Sequence, residues 1–460
     1  MTELVTKDPY SHRETGIFHK QNFDECGEII GQLNTSQQVW KSLDIEERLL
    51  LVREGLKYFE EHRERISQDI CEQMGRPLAQ CNGEVNGFFE RANYLCDIAV
   101  QTLCPNEIEE KEGFERQIHH EPLGTIFVIS AWNYPLLITV NSVIPALIAG
   151  NTVLLKHSSL TPKLGAHFEK AFSHLGDHKN LIRQVVVDHE TTGEIIEKLN
   201  IDHVVFTGSV PGGQSILNHT RHRFMMPAME LGGKDAAYVD ENVDLKQAVE
   251  TIVDGAMFNS GQSCCGIERV YVHEAVYKDF IEKAKVLLEN YKLGDPKESS
   301  TSMGPLAQAK AADIMTSQVQ EALSKGAKLV LGGQIEKIND AVFFQPTLIK
   351  NADHSMEIMQ EENFGPIMAV MMVGDLNQAI DFINDSKYGL TASIFTISKS
   401  NAEIFFSEVN TGTVFMNRCD YLDPALPWTG VKDSGCGSAL SSYGFYNVTR
   451  RKAKHFKLKI

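Results

Sequence analysis

Two adjacent thiols, Cys264 and Cys265, close the stretch FNSGQSCC at residues 258–265, directly after a Gly-Gln turn. Two readings fit them: small buried packing groups, or a nucleophile beside a bystander. A nucleophile needs a base and a place for negative charge, and candidates for both lie upstream. Glu230 precedes Cys264 by thirty-four residues in MELGGK, a carboxylate among Met, Leu and two glycines. Apolar surroundings raise a carboxyl's pKa towards the range of a useful base, whereas a solvated strand-end Glu stays an ordinary ion. Asn133 in SAWNYP offers a neutral amide, either as a local backbone cap or as a donor to an oxyanion. VVFTGSVPGG places Gly208, Ser209 and Gly213 between a strand and a helix, where backbone amides and a helix N-terminus suit a phosphate. The spacing is not G-x-G-x-x-G, so an ordinary strand-to-helix turn reads equally well. Lys156 and Trp132 close neighbouring strands, a cation and an aromatic that suit a nucleotide.

The elements that must position these groups alternate. The first hundred residues read as helices, with Asp44 and Glu47 at capping-box spacing and a Gly75-Arg76-Pro77 stop. From residue 123 short apolar strands (125–130, 151–156, 183–187, 203–209) alternate with amphipathic helices, one of which sets Leu164, Phe168, Phe172 and Leu175 on one face. A second series starts at MELGGK, with RVYVH, AKLVLGG, IMAVMMV, ASIFTI and GTVFMN as strands. Apolar strands alternating with helices predict a doubly wound parallel sheet covered on both faces, which takes ligands at the carboxyl ends of its strands. Residues 104–121 suggest a protruding hairpin. The alternating tail VTRRKAKHFKLKI reads either as an edge strand reaching a neighbouring subunit or as a frayed terminus.

Composition narrows the classes. A chain of 460 residues needs more than one core. Its net charge of −17 argues against nucleic acid or an anionic membrane as the main partner. Nine cysteines without a CxxC pair form no disulfide framework, and no HExxH suggests a metal. MTELVTKDPYSHRE has no apolar h-region and no run is long enough to span a bilayer, so the cytoplasm is the expected location.

Together WNYP, LLKHSSLTP, FTGS, MELGGK, FNSGQSCC, EENFGP and GVKDSGCG follow the order and approximate spacing of the aldehyde dehydrogenases, and nearly the whole chain resembles that family. The resemblance implies that Cys264 is the nucleophile, Cys265 a passenger, and Glu230 the base that activates a hydrolytic water. It places the Asn133 amide and the Cys264 N–H at the oxyanion. It implies NAD or NADP held by Lys156 at the adenosine ribose, by Trp132 and Ser209 along the pyrophosphate with Gly208 and Gly213 framing the turn, by Leu231 as a further cofactor contact, and by Glu362 and Phe364 at the nicotinamide ribose. NAD-preferring members carry a Glu three residues after the Lys. Here Ser159 removes that repulsion, so NADP is the favoured nucleotide.

Tyr134, Asn141, Phe258, Asp420, Leu422 and Trp428 are expected to line the aldehyde tunnel. The succinate-semialdehyde branch places arginines where this chain has Asn141 and Phe258. A buried substrate carboxylate without a cation is costly, which disfavours a semialdehyde unless Arg418 supplies the charge; an aminoaldehyde also suits Asp420. The implied architecture is a dinucleotide-binding domain (1–103 and 122–229), a catalytic domain (230–435) and a β oligomerisation element (104–121 and 436–460) in a homodimer or homotetramer. A catalytically silent relative is the competing reading.

Overall fold

The computed structural model describes residues 2–173 and 175–458. Two main sheets organise the chain. The first runs, edge to edge, Gly435–Cys436, Ala228–Glu230, His203–Thr207, Thr125–Ser130, Thr152–His157 and Ile182–Gln184; every neighbouring pair is parallel except the first, where Gly435 faces Glu230. The second has seven strands in the order Lys328–Leu331, Thr347–Lys350, Ile367–Val373, Ile267–His273, Asp235–Val239, Thr391–Phe395 and Thr413–Met416, with only the first pair antiparallel.

Both sheets are buried on both faces, and the period-2 geometry of a strand shows in where each side chain goes. Ile126, Val128, Val153 and Leu155 enter a core with the helices Ile45–Glu61, Leu78–Leu103 and Pro135–Ala149. Their neighbours Phe127, Ile129 and Leu154 enter the opposite core, with Ile30 and Leu33 of the helix Phe23–Trp40. In the second sheet Ala236 and Tyr238 face one core while Ala237 and Val239 face another. The chain is thus of the α/β class, doubly wound, as its alternation predicts.

Several local expectations are corrected. A hairpin, Glu3–Lys7 with Glu14–His19, precedes the first helix, so the N-terminal hundred residues are not wholly helical. Asp44 occupies the N-cap position without a side-chain cap bond, and the reciprocal capping box forms instead between Asn22 and Glu25. The run at 183–187 yields only the strand Ile182–Gln184. The tail is neither frayed nor alone: Thr449–Lys457 pairs antiparallel along the full length of Phe114–Pro122, in a three-stranded sheet completed by Asn106–Glu107. Residues 459 and 460 of that tail lie outside the described residues. Among the described residues no helix is long and apolar enough to cross a membrane.

Candidate active site

Cys264 sits in a loop built to be held from several sides. Its turn begins with the helix Leu245–Met257 stopping at Phe258. Asn259, Ser260 and Gly261 then take left-handed conformations in succession, with φ of 53°, 56° and 68°. Left-handed backbone is costly for side-chain-bearing residues and persists only where the surroundings impose it. Asn259 is imposed upon most: its carboxamide oxygen accepts from Arg76 Nε at 2.9 Å, and its Nδ2 donates to the carbonyls of Asn133 (3.1 Å) and Gln262 (3.0 Å). Arg76 also donates to the Asn133 carbonyl and pairs with buried Glu84. Glu84 accepts from the backbone of Leu136 at 2.8 Å, at the start of the helix that follows Asn133. One buried brace therefore fixes the Cys264 loop against the Asn133 loop.

Glu230 ends its strand at the other side of the sulfur. Its backbone oxygen accepts from Gly208 (3.1 Å), and Leu231 N donates to Ser434 O (2.9 Å). Burial pushes the Glu230 carboxyl up to about 7, against the pull of Arg91, which lowers it. The two glycines that follow have separate reasons. A Cβ on Gly232 would fall 2.7 Å from a Glu362 carboxylate oxygen, and one on Gly233 would collide with the Cys264 carbonyl oxygen. Only bare backbone lets this segment pass between Glu362 and the cysteine loop.

Two cavities meet at Cys264. A cleft of about 180 Å³ is lined by Trp132, Asn133, Gly208, Ser209, Leu231, Glu362 and Phe364. Its roof is rigid: Phe364 meets Trp132 edge-on, 5.6 Å between centroids. Buried Lys234 pairs with Glu268 at 2.6 Å, and Glu268 accepts the amides of Asn363 and Phe364, both at 2.9 Å. Glu362 accepts from Gly233 N at 3.0 Å, and burial, then the nearby Glu268 charge, push its carboxyl up to about 7. Ser209 caps the helix Val210–Thr220 by accepting from Gly212 N. Of the other cofactor candidates, Lys156 is buried in its strand, Ser159 is exposed in the turn after it, and Gly213 is packed against Leu231; none lines the cleft.

The second cavity, of about 420 Å³, contains Glu230, Cys264, Tyr134, Asn141, Phe258, Asp420, Leu422 and Trp428 in its wall. All six expected tunnel residues are brought together there. Asp420 accepts from Cys265 Sγ at 2.9 Å and from Ser263 Oγ at 3.2 Å, and burial raises its carboxyl to about 6. Cys265 is buried, and its thiol is pushed up by contact with Cys264, then by burial and by Asp420. Arg418 does not reach this wall: its guanidinium lies 3.5 Å over the Tyr421 ring. Two other cations do, Arg76 and Arg91, which the sequence reading missed. Arg91 was hidden because it sits in the middle of an ordinary helix, Leu78–Leu103, far from any motif. In sequence Arg76 belongs to the Gly75-Arg76-Pro77 helix stop, which carries no sign of its distant partners.

The arrangement is a thiol between a cleft walled by Trp132, Phe364 and Glu362 and a mainly apolar cavity holding a carboxyl raised to about 7. The aldehyde dehydrogenase family model matches residues 2–454. A succinate-semialdehyde dehydrogenase [NADP(+)] from Deinococcus radiodurans is 31% identical over 449 residues, covering 98% of this chain and 94% of its own. A succinate semialdehyde dehydrogenase [NAD(P)+] from Escherichia coli K12 is also 31% identical, over 97% and 96% of the two chains. The crystal structure of lactaldehyde dehydrogenase from Escherichia coli superposes with a TM-score of 0.95 at 27% identity, over 99% of this chain and 96% of that one. With its whole length matched in sequence and in fold, this chain belongs to the aldehyde dehydrogenase family.

Proposed function

We propose that the chain oxidises an aldehyde to the carboxylic acid with NAD(P), through a thioester on Cys264. The observation that carries this reading is the position of Cys264 in the wall of both cavities, with Glu230 in one and Glu362 and Phe364 in the other. The cleft fits a nicotinamide nucleotide. Its floor is kept open by glycine, its roof is aromatic, and an eleven-residue helix presents its N-terminus there.

Each chain residue then has a task. The Cys264 sulfur, as thiolate, forms a bond to the aldehyde carbon while the carbonyl π pair moves onto oxygen. The Asn133 amide and the Cys264 N–H donate to that oxygen, and the Arg76–Asn259 brace holds both in place. A nicotinamide held in the cleft would supply the two-electron acceptor for the hydride lost as the oxyanion pair re-forms the C=O, and the acyl group stays on the Cys264 sulfur. Glu230 removes a proton from water as its oxygen attacks the acyl carbon; the C–S bond breaks and the carboxylate departs. A carboxyl near 7 serves this step because it is ionised often enough to accept a proton.

Ser159 leaves room for a 2′-phosphate, and we assign NADP as the preferred nucleotide, in keeping with the NADP(+) named for the Deinococcus relative, while the Escherichia relative is named for NAD(P)+. The six-stranded sheet with the N-terminal helices would bind the dinucleotide, and the seven-stranded sheet would carry the nucleophile. The exposed strand Thr449–Lys457 would join copies into a dimer or tetramer in the cytoplasm. The test is an initial-rate panel of aldehydes against both nucleotides, with acid product measured. Stoichiometric acid and reduced nucleotide, lost in C264S, is the expected result. Nucleotide binding without turnover of any aldehyde would promote the silent-relative reading.

A further inference from the structure

The substrate cavity holds one cation that makes no ion-pair contact among the described residues, its largest charge influence being Glu230. Arg91 is 7% exposed and lines the cavity beside Glu230 and Asn141. Its Nη1 donates to the Leu137 carbonyl at 3.0 Å and to Asn141 Oδ1 at 3.2 Å. Both acceptors are neutral. Its Nε and Nη2 donate to none of the described residues, and among these no carboxylate lies within ion-pair distance of it. The other ionisable groups of the wall are engaged elsewhere. Arg76 pairs with Glu84, Asp420 accepts from Cys265 and Ser263, and exposed Glu90 accepts from Tyr421 at 2.6 Å. Glu230 is neutral for part of the time near pH 7.

A buried guanidinium with free planar donors calls for an oxyanion, because leaving it unpaired leaves its desolvation cost uncompensated. Glu230 cannot serve permanently, since its task requires it to bind a proton in each turnover. We infer that Arg91 receives a carboxylate carried by the substrate, making this a dehydrogenase of short carboxylate-bearing aldehydes. The inference rests on the reading proposed above and supplies its substrate class. The Asn141 bond holds the guanidinium in place by its Nη1 edge and leaves the Nε–Nη2 side for a two-pronged contact. The cation that the expected positions lack is thus delivered from another helix.

The test compares kcat/KM for succinate semialdehyde, butanal and an aminoaldehyde of the same length, in the wild type and in R91M and R91K. The wild type is expected to prefer the semialdehyde, and R91M to lower the semialdehyde-to-butanal ratio by roughly 10- to 100-fold, through KM. R91K, which keeps the charge without the fork, should restore part of that ratio. A ratio unchanged in R91M, with both rates falling together, would mean that Arg91 only supports the fold or Glu230, and would overturn the inference. So would a wild type that prefers butanal or the aminoaldehyde, the latter pointing to Asp420 instead. A wild type that oxidises none of the three, nor any aldehyde of the wider panel, would instead remove the dehydrogenase reading itself. Succinate binding to wild type and R91M by calorimetry gives a readout independent of turnover, and equal affinities would also count against the assignment.

Discussion

The two cavities that share Cys264 are built by different means. The cleft is shaped by backbone: the bare Gly232 and Gly233, a capped helix end, and a loop pinned through the Lys234–Glu268 pair. Almost all of its wall comes from short contiguous stretches. The larger cavity is shaped by side chains drawn from the helix Leu78–Leu103, the helix Pro135–Ala149, the cysteine loop and the segment around Asp420. Backbone recognition tolerates little change in sequence, whereas a wall of side chains can be rewritten residue by residue. On the reading proposed above, the cleft side would carry nucleotide binding, and the cavity side, which also holds Glu230, would carry hydrolysis and the choice of aldehyde.

That division can be broken experimentally. C264S touches both sides at once and should lower kcat by on the order of 10⁴-fold. Nucleotide affinity by calorimetry should be unchanged, and a matching loss of affinity would show that the two sides are not separable. E230Q acts from the cavity side alone. Turnover should fall about 10²- to 10⁴-fold, while a stopped-flow burst of one reduced nucleotide per site survives, because acylation does not need the carboxylate. Loss of the burst would place Glu230 in the first half-reaction.

G233A acts where the halves join. Its methyl would drive against the Cys264 carbonyl, costing roughly 1–3 kcal/mol of stability in a denaturant titration and displacing the sulfur from both cavities. For pH the sign follows from Glu230 acting as an acceptor. Its carboxyl is raised to about 7, so the ionised fraction, and with it a hydrolysis-limited kcat, should grow about tenfold from pH 6 to pH 8 and then level off. A flat profile over that interval would argue for another base. The smallest effect is expected from S159E, at the far end of the nucleotide. It should lower kcat/KM for NADP several-fold, up to about tenfold, and leave the aldehyde KM alone.

Legibility in the sequence followed the same line. The alternation of apolar strands and helices was plain because each strand is buried on both faces, as Ile126 and Phe127 illustrate by entering opposite cores. The cleft candidates Trp132, Ser209, Leu231, Glu362 and Phe364 sit in motifs whose glycines and turns are themselves the geometry. Arg91 and the Arg76–Glu84 brace were not legible, since each is a long-range meeting: Arg76 and Asn259 lie 183 residues apart. The N-terminal hairpin escaped notice because its strands, ELVTK and ETGIFH, are too polar and too exposed to show a clear period. Asp44 had the right spacing for a cap without the right partner, which spacing cannot reveal.

The short strand Gly435–Cys436 has a temporal meaning. Among the described residues it is the one strand that flanks Glu230 on its outer side, and Ser434 ties both Leu231 and Gly232. In chain order Glu230 and Cys264 both precede Ser434 and Gly435, so a ribosome delivers them before these clamps. The nascent polypeptide consequently holds residue 264 before the outer support of residue 230 exists, and a chain clipped ahead of residue 434 would leave that carboxyl without its edge strand.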